Sequence, residues 1–439
     1  MPGELGLGSM ALAQFQDFLS GLVSRQRAMF SSSEKSPINE LLDKLMGTVG
    51  EVSGIVTARL VLDQYRSLKE AEKLRFFENL EAGFNANPAL VKVAYEAYAN
   101  DPSSQNLNQL SRVAEPRRLK LLRRLNQTPG ATHDLLAMRT DLLRLLPEHP
   151  NLKAVDDDFL RVFKSWFGRG FLQLQTINWS TSAAILERII RYEAVHAIRD
   201  WEDLRSRIDP PDRRCFAFFH PALIDEPLIF VEVALGQEVP RSINAILSSA
   251  PAQPDVTDEY RCATFYSISN CQPGLKSVSF GNFLIKQVVQ ELRAEFPGIK
   301  TFVTLSPIPG FNRWLKQESD SESDELLALK QQVLALDRQA SVVHEQADLL
   351  RKCVFNYLYH AKRGKHPVDP VARFHLGNGA SIHQLHAGAD LSDKGMHQSL
   401  GTMVNYLYDP GQIESNHESY ATQGKVEFSG KLKSLLVKQ

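Results

Sequence analysis

The spacing of the apolar residues changes once, near residue 166, and that change constrains the fold more than any single motif. Before it, "LLDKLMGTVGEVSGIVTARLVLDQYRSL" and "EAEKLRFFENLEAGF" place apolar residues at intervals of three and four, the period of an amphipathic helix. "DPSSQNLNQLSRVAEPRRLKLLRRLN" opens on Asp and Ser caps, sets Leu107, Leu110 and Val113 at helical spacing, and breaks at Pro116. "THDLLAMRTDLLRLL" repeats the pattern. No fixed internal period links these segments, so residues 1–165 are expected to form an all-helical bundle rather than a solenoid. Arg117, Arg118, Lys120, Arg123 and Arg124 are expected on its solvated faces.

Beyond residue 166 the pattern turns to short β-rich runs. "RCFAFFH" and "PLIFVEVAL" flank "PALIDE" as a hairpin would. "CATFYSIS", the loop "NCQPGLKSVSFGN", the helical "FLIKQVVQELRAEF" and "GIKTFVTLS" compose a strand–loop–helix–strand unit, which predicts neighbouring strands in one sheet. An acidic loop, "QESDSESDE", leads into one long helical stretch ending at "NYLYHA". Strands are then expected in "ARFHLGNGASIHQLH" and "GTMVNYLYD", an ordered loop at "NHESY" and a closing helix in "KVEFSGKLKSLL". The fold class is therefore α+β: a helical domain over 1–165 and a mixed α/β domain over 166–439.

Composition narrows the function. A net charge of −1 gives no basic footprint for nucleic acid. No apolar run approaches the roughly 18 residues of a membrane span. The N-terminal segment has neither the basic-then-apolar order of a secretory signal nor the early arginines of a transit peptide, so a cytoplasmic location is expected. Cys215, Cys262, Cys271 and Cys353 lack CxxC spacing and read as reduced, buried thiols.

Three places hold candidate chemistry. "KSVSFGN", residues 276–282, lies between a strand and a helix, where unpaired N–H groups and the helix dipole favour phosphate. Lys276, Ser277, Ser279 and Asn282 add donors there, although the same residues also suit a plain helix cap. Ser306, in "TLSPIPGFNRWL", sits where a strand stops before Pro307 and Pro309; most such serines only form turns. His375 is expected on a strand just before "GNG", and a serine and histidine at strand ends of one sheet can pass protons near neutral pH. His383, His386, His397 and His417 lack cysteine or carboxylate partners at ligand spacing, so no metal site is expected.

"TLSPIPGFNRWL", "RFHLGNGA" and "MVNYLYD", in that order, resemble the malonyl-CoA decarboxylase family. So do "SWFGRGFLQLQTINW", "EAVHAIRDWEDLRSRI" and "YSISNCQPGLKSVSFGNFLIKQVVQELRAEFPG". The resemblance is dense from about residue 160 to 420 and looser in the helical region. It implies a helical domain followed by an acetyltransferase-like (GNAT-type) catalytic domain that converts malonyl-CoA to acetyl-CoA and carbon dioxide without biotin, metal or other cofactor. It assigns catalysis to Ser306 and His375, with Tyr408 in support, and the CoA pyrophosphate to Lys276, Ser277, Val278, Ser279, Phe280, Gly281 and Asn282. The family carries an acidic residue where this sequence has Ser279.

On this basis Ser306 and His375 are expected to form a hydrogen-bonded pair, with Tyr408 and Asn405 orienting it or the thioester. A homo-oligomer, dimer or tetramer, is also implied. Two other readings remain open: an acyl-CoA-dependent acyltransferase, which needs an acceptor, and a non-catalytic acyl-CoA sensor, which needs only the CoA loop.

Overall fold

The computed structural model describes residue 21 and residues 36–248, 259–278, 283–317 and 323–438. The chain divides into two compact units. The first holds the chain up to Leu172 together with His220–Ile224 and Gln272–Ser279. Its helices are α1 (Ile38–Gly47), α2 (Glu51–Ser67), α3 (Glu70–Gly83), α4 (Pro88–Asn100), α5 (Ser104–Ala114), α6 (Arg117–Leu125), α7 (Ala131–Leu145) and α8 (Lys153–Trp166).

Local chemistry sets their ends. Asn87 accepts the Ala89 and Leu90 N–H groups ahead of Pro88, and Ser103 accepts that of Asn106. Gly130, at φ 73°, takes the left-handed turn before α7. One expectation fails here. Arg118 is buried rather than solvated, because its guanidinium meets Asp158 at 2.7 Å and the Leu80 and Glu81 carbonyls at 3.2 Å.

The second unit is built on a seven-stranded sheet ordered β1-β2-β3-β4-β5-β9-β8. The strands are β1 (Gln173–Ile177), β2 (Arg213–Phe219), β3 (Pro227–Gly236), β4 (Cys262–Asn270), β5 (Thr301–Thr304), β8 (Ser381–His386) and β9 (Met403–Leu407). β6 (Lys362–Arg363) and β7 (His366–Pro367) form a separate ribbon. Among the described strands only β4 and β5 pair in parallel, and the chain between them contains α12 (Phe283–Glu295), which follows α9 (Ala183–Tyr192), α10 (Trp201–Ile208) and α11 (Ile243–Leu247). Leu284, Val288, Val289 and Leu292 are the buried face of α12, as their spacing requires.

β4 and β5 stay paired only from Cys262↔Thr301 to Phe265↔Thr304. β4 then continues along β3 to Asn270, while the chain after Thr304 turns to bridge β9 through Ser306 and Val404. The two strands splay, and a cleft opens between Ser306 and the last residues of β4. The helix between two neighbouring strands of one sheet is as read, and the chain is α+β, helical first and mixed α/β after.

Several local expectations are corrected. The long helical stretch is three helices, α14 (Asp324–Leu334), α15 (Ala340–Glu345) and α16 (Ala347–His360), preceded by the short α13 (Phe311–Leu315). "ARFHLG" is helical, within α17 (Pro370–Gly377), because Asp369 caps the Val371 and Ala372 N–H groups and Pro370 fits the first turn. α18 (Asp393–Ser399) follows. "NHESY" lies inside α19 (Ile413–Gln423) rather than in a loop, and the closing helix is only a 3-10 turn over Gly430–Leu435. All four cysteines are buried thiols, and none is in a disulfide. No helix among the described residues is long and apolar enough to cross a membrane.

Candidate active site

Ser306 is the first residue beyond β5 but one, and β9 holds both of its main-chain groups. Its N–H donates to the Val404 carbonyl at 2.8 Å, and its carbonyl accepts from the Val404 N–H at 3.0 Å. Its Oγ lies 3.1 Å from His375 Nε2 and donates to Thr304 Oγ1 at 2.8 Å. Period two along an extended chain is what places Thr304 and Ser306 on one face.

His375 comes from the last turn of α17. Its Nδ1 lies 2.8 Å from the Tyr408 hydroxyl, and its ring stacks on Tyr406 at 4.7 Å with 23° between planes. Tyr406 and Tyr408 are two apart at the end of β9, so one face of that strand supplies both contacts. Burial pushes the imidazole down to about 3 and the Tyr408 phenol well above its ordinary value. The histidine is therefore a neutral ring near pH 7, able to donate at one nitrogen and accept at the other.

Asn405 points to the other face of β9. Its amide donates to the Thr304 carbonyl at 2.6 Å, and its oxygen meets His386 Nε2 at 2.5 Å. It braces the strand that bears Thr304, and its side-chain hydrogen bonds go to Thr304 and His386 rather than to Ser306 or His375.

A cavity of about 330 Å³ opens on the pair. Ser306, Pro307, Pro370, Val371, Phe374 and His375 form one wall, and Val195, Phe265, Tyr266, Ile268 and Asn270 form the other. Among the described residues lining it there is no cation and no carboxylate. A substrate carboxylate in such a setting is poorly solvated, which favours a reaction that disperses its charge.

Asp369, which sequence reasoning passed over, ties the two halves of the site together. Its Oδ1 caps α17, while its Oδ2 accepts from the Gly310 N–H and the Tyr357 hydroxyl, each at 3.3 Å. The Asp-Pro dipeptide was the available signal. Thr304 and Tyr406 were also missed.

The phosphate-loop candidates are partly visible. Ser279, Phe280, Gly281 and Asn282 lie outside the described residues. Lys276 and Ser277 are exposed, Ser277 adopts φ 67°, and Val278 is buried. From below, buried Arg139 donates to the Gly274 and Lys276 carbonyls at 2.7 and 2.8 Å while pairing with Asp156. Gly274 approaches the Leu136 carbonyl so closely that an added Cβ would lie 2.3 Å from it. His383 sits at a register irregularity in β8, and no group of three His, Cys, Asp or Glu side chains among the described residues is placed to hold a metal.

Residues 170–439 match the model of the malonyl-CoA decarboxylase C-terminal domain, and residues 84–167 that of the N-terminal domain. The chain belongs to the malonyl-CoA decarboxylase family. Mitochondrial malonyl-CoA decarboxylase of Rattus norvegicus is 33% identical over 354 residues, spanning 73% of this chain and 71% of that protein. The Mus musculus enzyme is 34% identical over 363 residues, with the same coverage. Among solved malonyl-CoA decarboxylases, that of Rhodopseudomonas palustris superposes with a TM-score of 0.85 at 44% identity, covering 90% of this chain and 98% of its own. That of Agrobacterium vitis gives 0.82 at 45%, covering 92% and 100%.

Proposed function

We propose that the chain decarboxylates malonyl-CoA to acetyl-CoA and carbon dioxide, with Ser306 and His375 as the catalytic pair. The observation that carries this reading is the Ser306–His375–Tyr408 chain of hydrogen bonds opening on a cavity whose described lining carries no charge, in a member of this family.

In the reaction the bond between C2 and the carboxylate carbon breaks. Its electron pair moves into the C1–C2 bond, and the thioester oxygen takes the negative charge. The thioester is thus the electron sink, and the reading asks for no biotin or metal. Donors aimed at that oxygen would stabilise the enolate by about 3 kcal/mol each, by analogy with other oxyanion sites. C2 then takes a proton from the Ser306–His375 pair. Lys276 to Asn282 belong to this reading as the cradle of the CoA pyrophosphate, with residues 166–439 as the catalytic domain. Residues 1–165 are read as a helical domain that supports a homo-oligomer, and the location as cytoplasmic.

The test is conversion of malonyl-CoA by the purified protein without an acyl acceptor. Acetyl-CoA and carbon dioxide should form in equal amounts, and Ser306→Ala and His375→Asn should each cut the rate by roughly 100-fold or more. Undiminished turnover in either variant removes that residue from the mechanism. Release of free CoA only when an amine is added would replace the reading with acyl transfer.

A further inference from the structure

We propose that Thr304 is a positioning residue whose hydroxyl oxygen takes the hydrogen of Ser306 and thereby sets His375 in its Nε2–H form. The inference deepens the reading above and rests on its Ser306–His375 pair. It follows from counting hydrogens along the chain of contacts. Ser306 Oγ approaches Thr304 Oγ1 at 2.8 Å in the geometry of a bond that Ser306 donates. The Tyr406 N–H donates to the same oxygen at 3.1 Å, so Thr304 Oγ1 is an acceptor twice over and is fixed against β9.

A serine hydroxyl has one hydrogen. With that hydrogen on Thr304, the 3.1 Å contact between Ser306 Oγ and His375 Nε2 is a hydrogen bond only when the nitrogen donates. A neutral imidazole that donates from Nε2 has a bare Nδ1. Tyr408 supplies what that nitrogen needs: its fully buried hydroxyl lies 2.8 Å away and has no other acceptor among the described residues. With the Ser306–Thr304 bond in its observed direction, the other tautomer of His375 would require two hydrogens on Ser306 and would leave the Tyr408 hydrogen without an acceptor among the described residues. All four directions agree on one order: Tyr408 to His375, His375 to Ser306, Ser306 to Thr304, and the Tyr406 N–H to Thr304.

The order decides which residue holds the mobile proton. In the resting pair Ser306 Oγ holds the hydrogen that C2 takes, and His375 Nε2 holds the one that replaces it. When the enolate forms, C2 takes the Ser306 hydrogen as Oγ takes the one from Nε2. The electron pair of the Nε2–H bond stays on the ring, where the Tyr408 hydroxyl donates to Nδ1, and solvent returns the proton after product leaves.

The tautomer is readable in the substrate-free protein, so its failure is distinct from failure of the decarboxylase reading, which turnover reports. Protein labelled with 15N-histidine would be examined by two-bond 1H–15N correlation, with His375 assigned by difference against His375→Gln. The expected wild-type pattern is Nε2–H with unprotonated Nδ1, retained in Thr304→Ser, which keeps the acceptor. Thr304→Val and Thr304→Ala free the Ser306 hydrogen for Nε2, so both should switch the ring to Nδ1–H. Their kcat should fall roughly 10- to 100-fold with KM little changed. An Nδ1–H pattern in wild type, or an unchanged Nε2–H pattern in whichever of the two variants folds, overturns the proposal.

Discussion

Asp369 accepts the Gly310 N–H at 3.3 Å, and so joins the cap of the helix that carries His375 to the turn that follows Ser306. Asp369→Asn keeps an oxygen for the Val371 and Ala372 caps but sets an amide group toward Gly310. Leaving that N–H without an acceptor should cost about 1–3 kcal/mol of stability. Displacement of the pair should lower kcat about tenfold or more with KM nearly unchanged. Denaturant unfolding and steady-state kinetics on the same preparation check both, and wild-type kcat would show that the tie does not position the pair.

The same turn has room only for glycine. A Cβ added to Gly310 would lie 2.1 Å from the Tyr357 hydroxyl oxygen. Gly310→Ala should destabilise the protein by about 1–3 kcal/mol. Tyr357→Phe in the same chain should recover part of that loss, a coupling that a double-mutant cycle measures.

Acid should weaken the fold through His375. An unfolded histidine titrates near 6.5, whereas burial holds this one down to about 3. Between those values the unfolded chain binds a proton that the folded one refuses, so stability falls as pH drops from about 6.5 toward 3. In His375→Asn the proton uptake on unfolding at pH 5 should be smaller by about one. Unfolding free energies at pH 7 and pH 5 give that difference, and equal slopes for the two proteins would contradict it.

A cation placed in the cavity should bind substrate better and react worse. Val371 lines it, and Val371→Lys would stabilise a substrate carboxylate before the charge has moved. Interactions stronger in the ground state than in the transition state slow the chemical step. Both KM and kcat should therefore fall, and a rise in kcat would refute the role given to the uncharged walls.

Arg139 offers a check on the proposed CoA cradle. Arg139→Met removes both bonds to the Gly274 and Lys276 carbonyls. It should raise KM for malonyl-CoA while kcat at saturation stays closer to wild type. Calorimetric titration with CoA alone should show the same weakening, and unchanged CoA affinity would detach this loop from binding.

What the sequence could show depended on the range of the interaction. The helical spacing before residue 166 and the β-rich runs after it are local, and the elements formed accordingly. "ARFHLG" was misread because Val371 and Phe374 favour strands, while the Asp369–Pro370 cap that overrides them needs only two residues. The burial of Arg118 was out of reach, since its partner Asp158 lies forty positions away. Ser306 and His375 were identifiable through the family's phrases. Thr304 was not, because its role depends on the register that brings the Tyr406 N–H to its oxygen.

The bridge to Val404 has a practical meaning for experiments on Ser306. Both main-chain groups of that residue are already engaged across the sheet, so only the hydroxyl is left to meet a substrate. An alanine there keeps the same backbone partners and loses one oxygen. The variant should therefore keep the strand in place while losing the bonds to Thr304 and His375, and the change in turnover reports that oxygen together with its two partners.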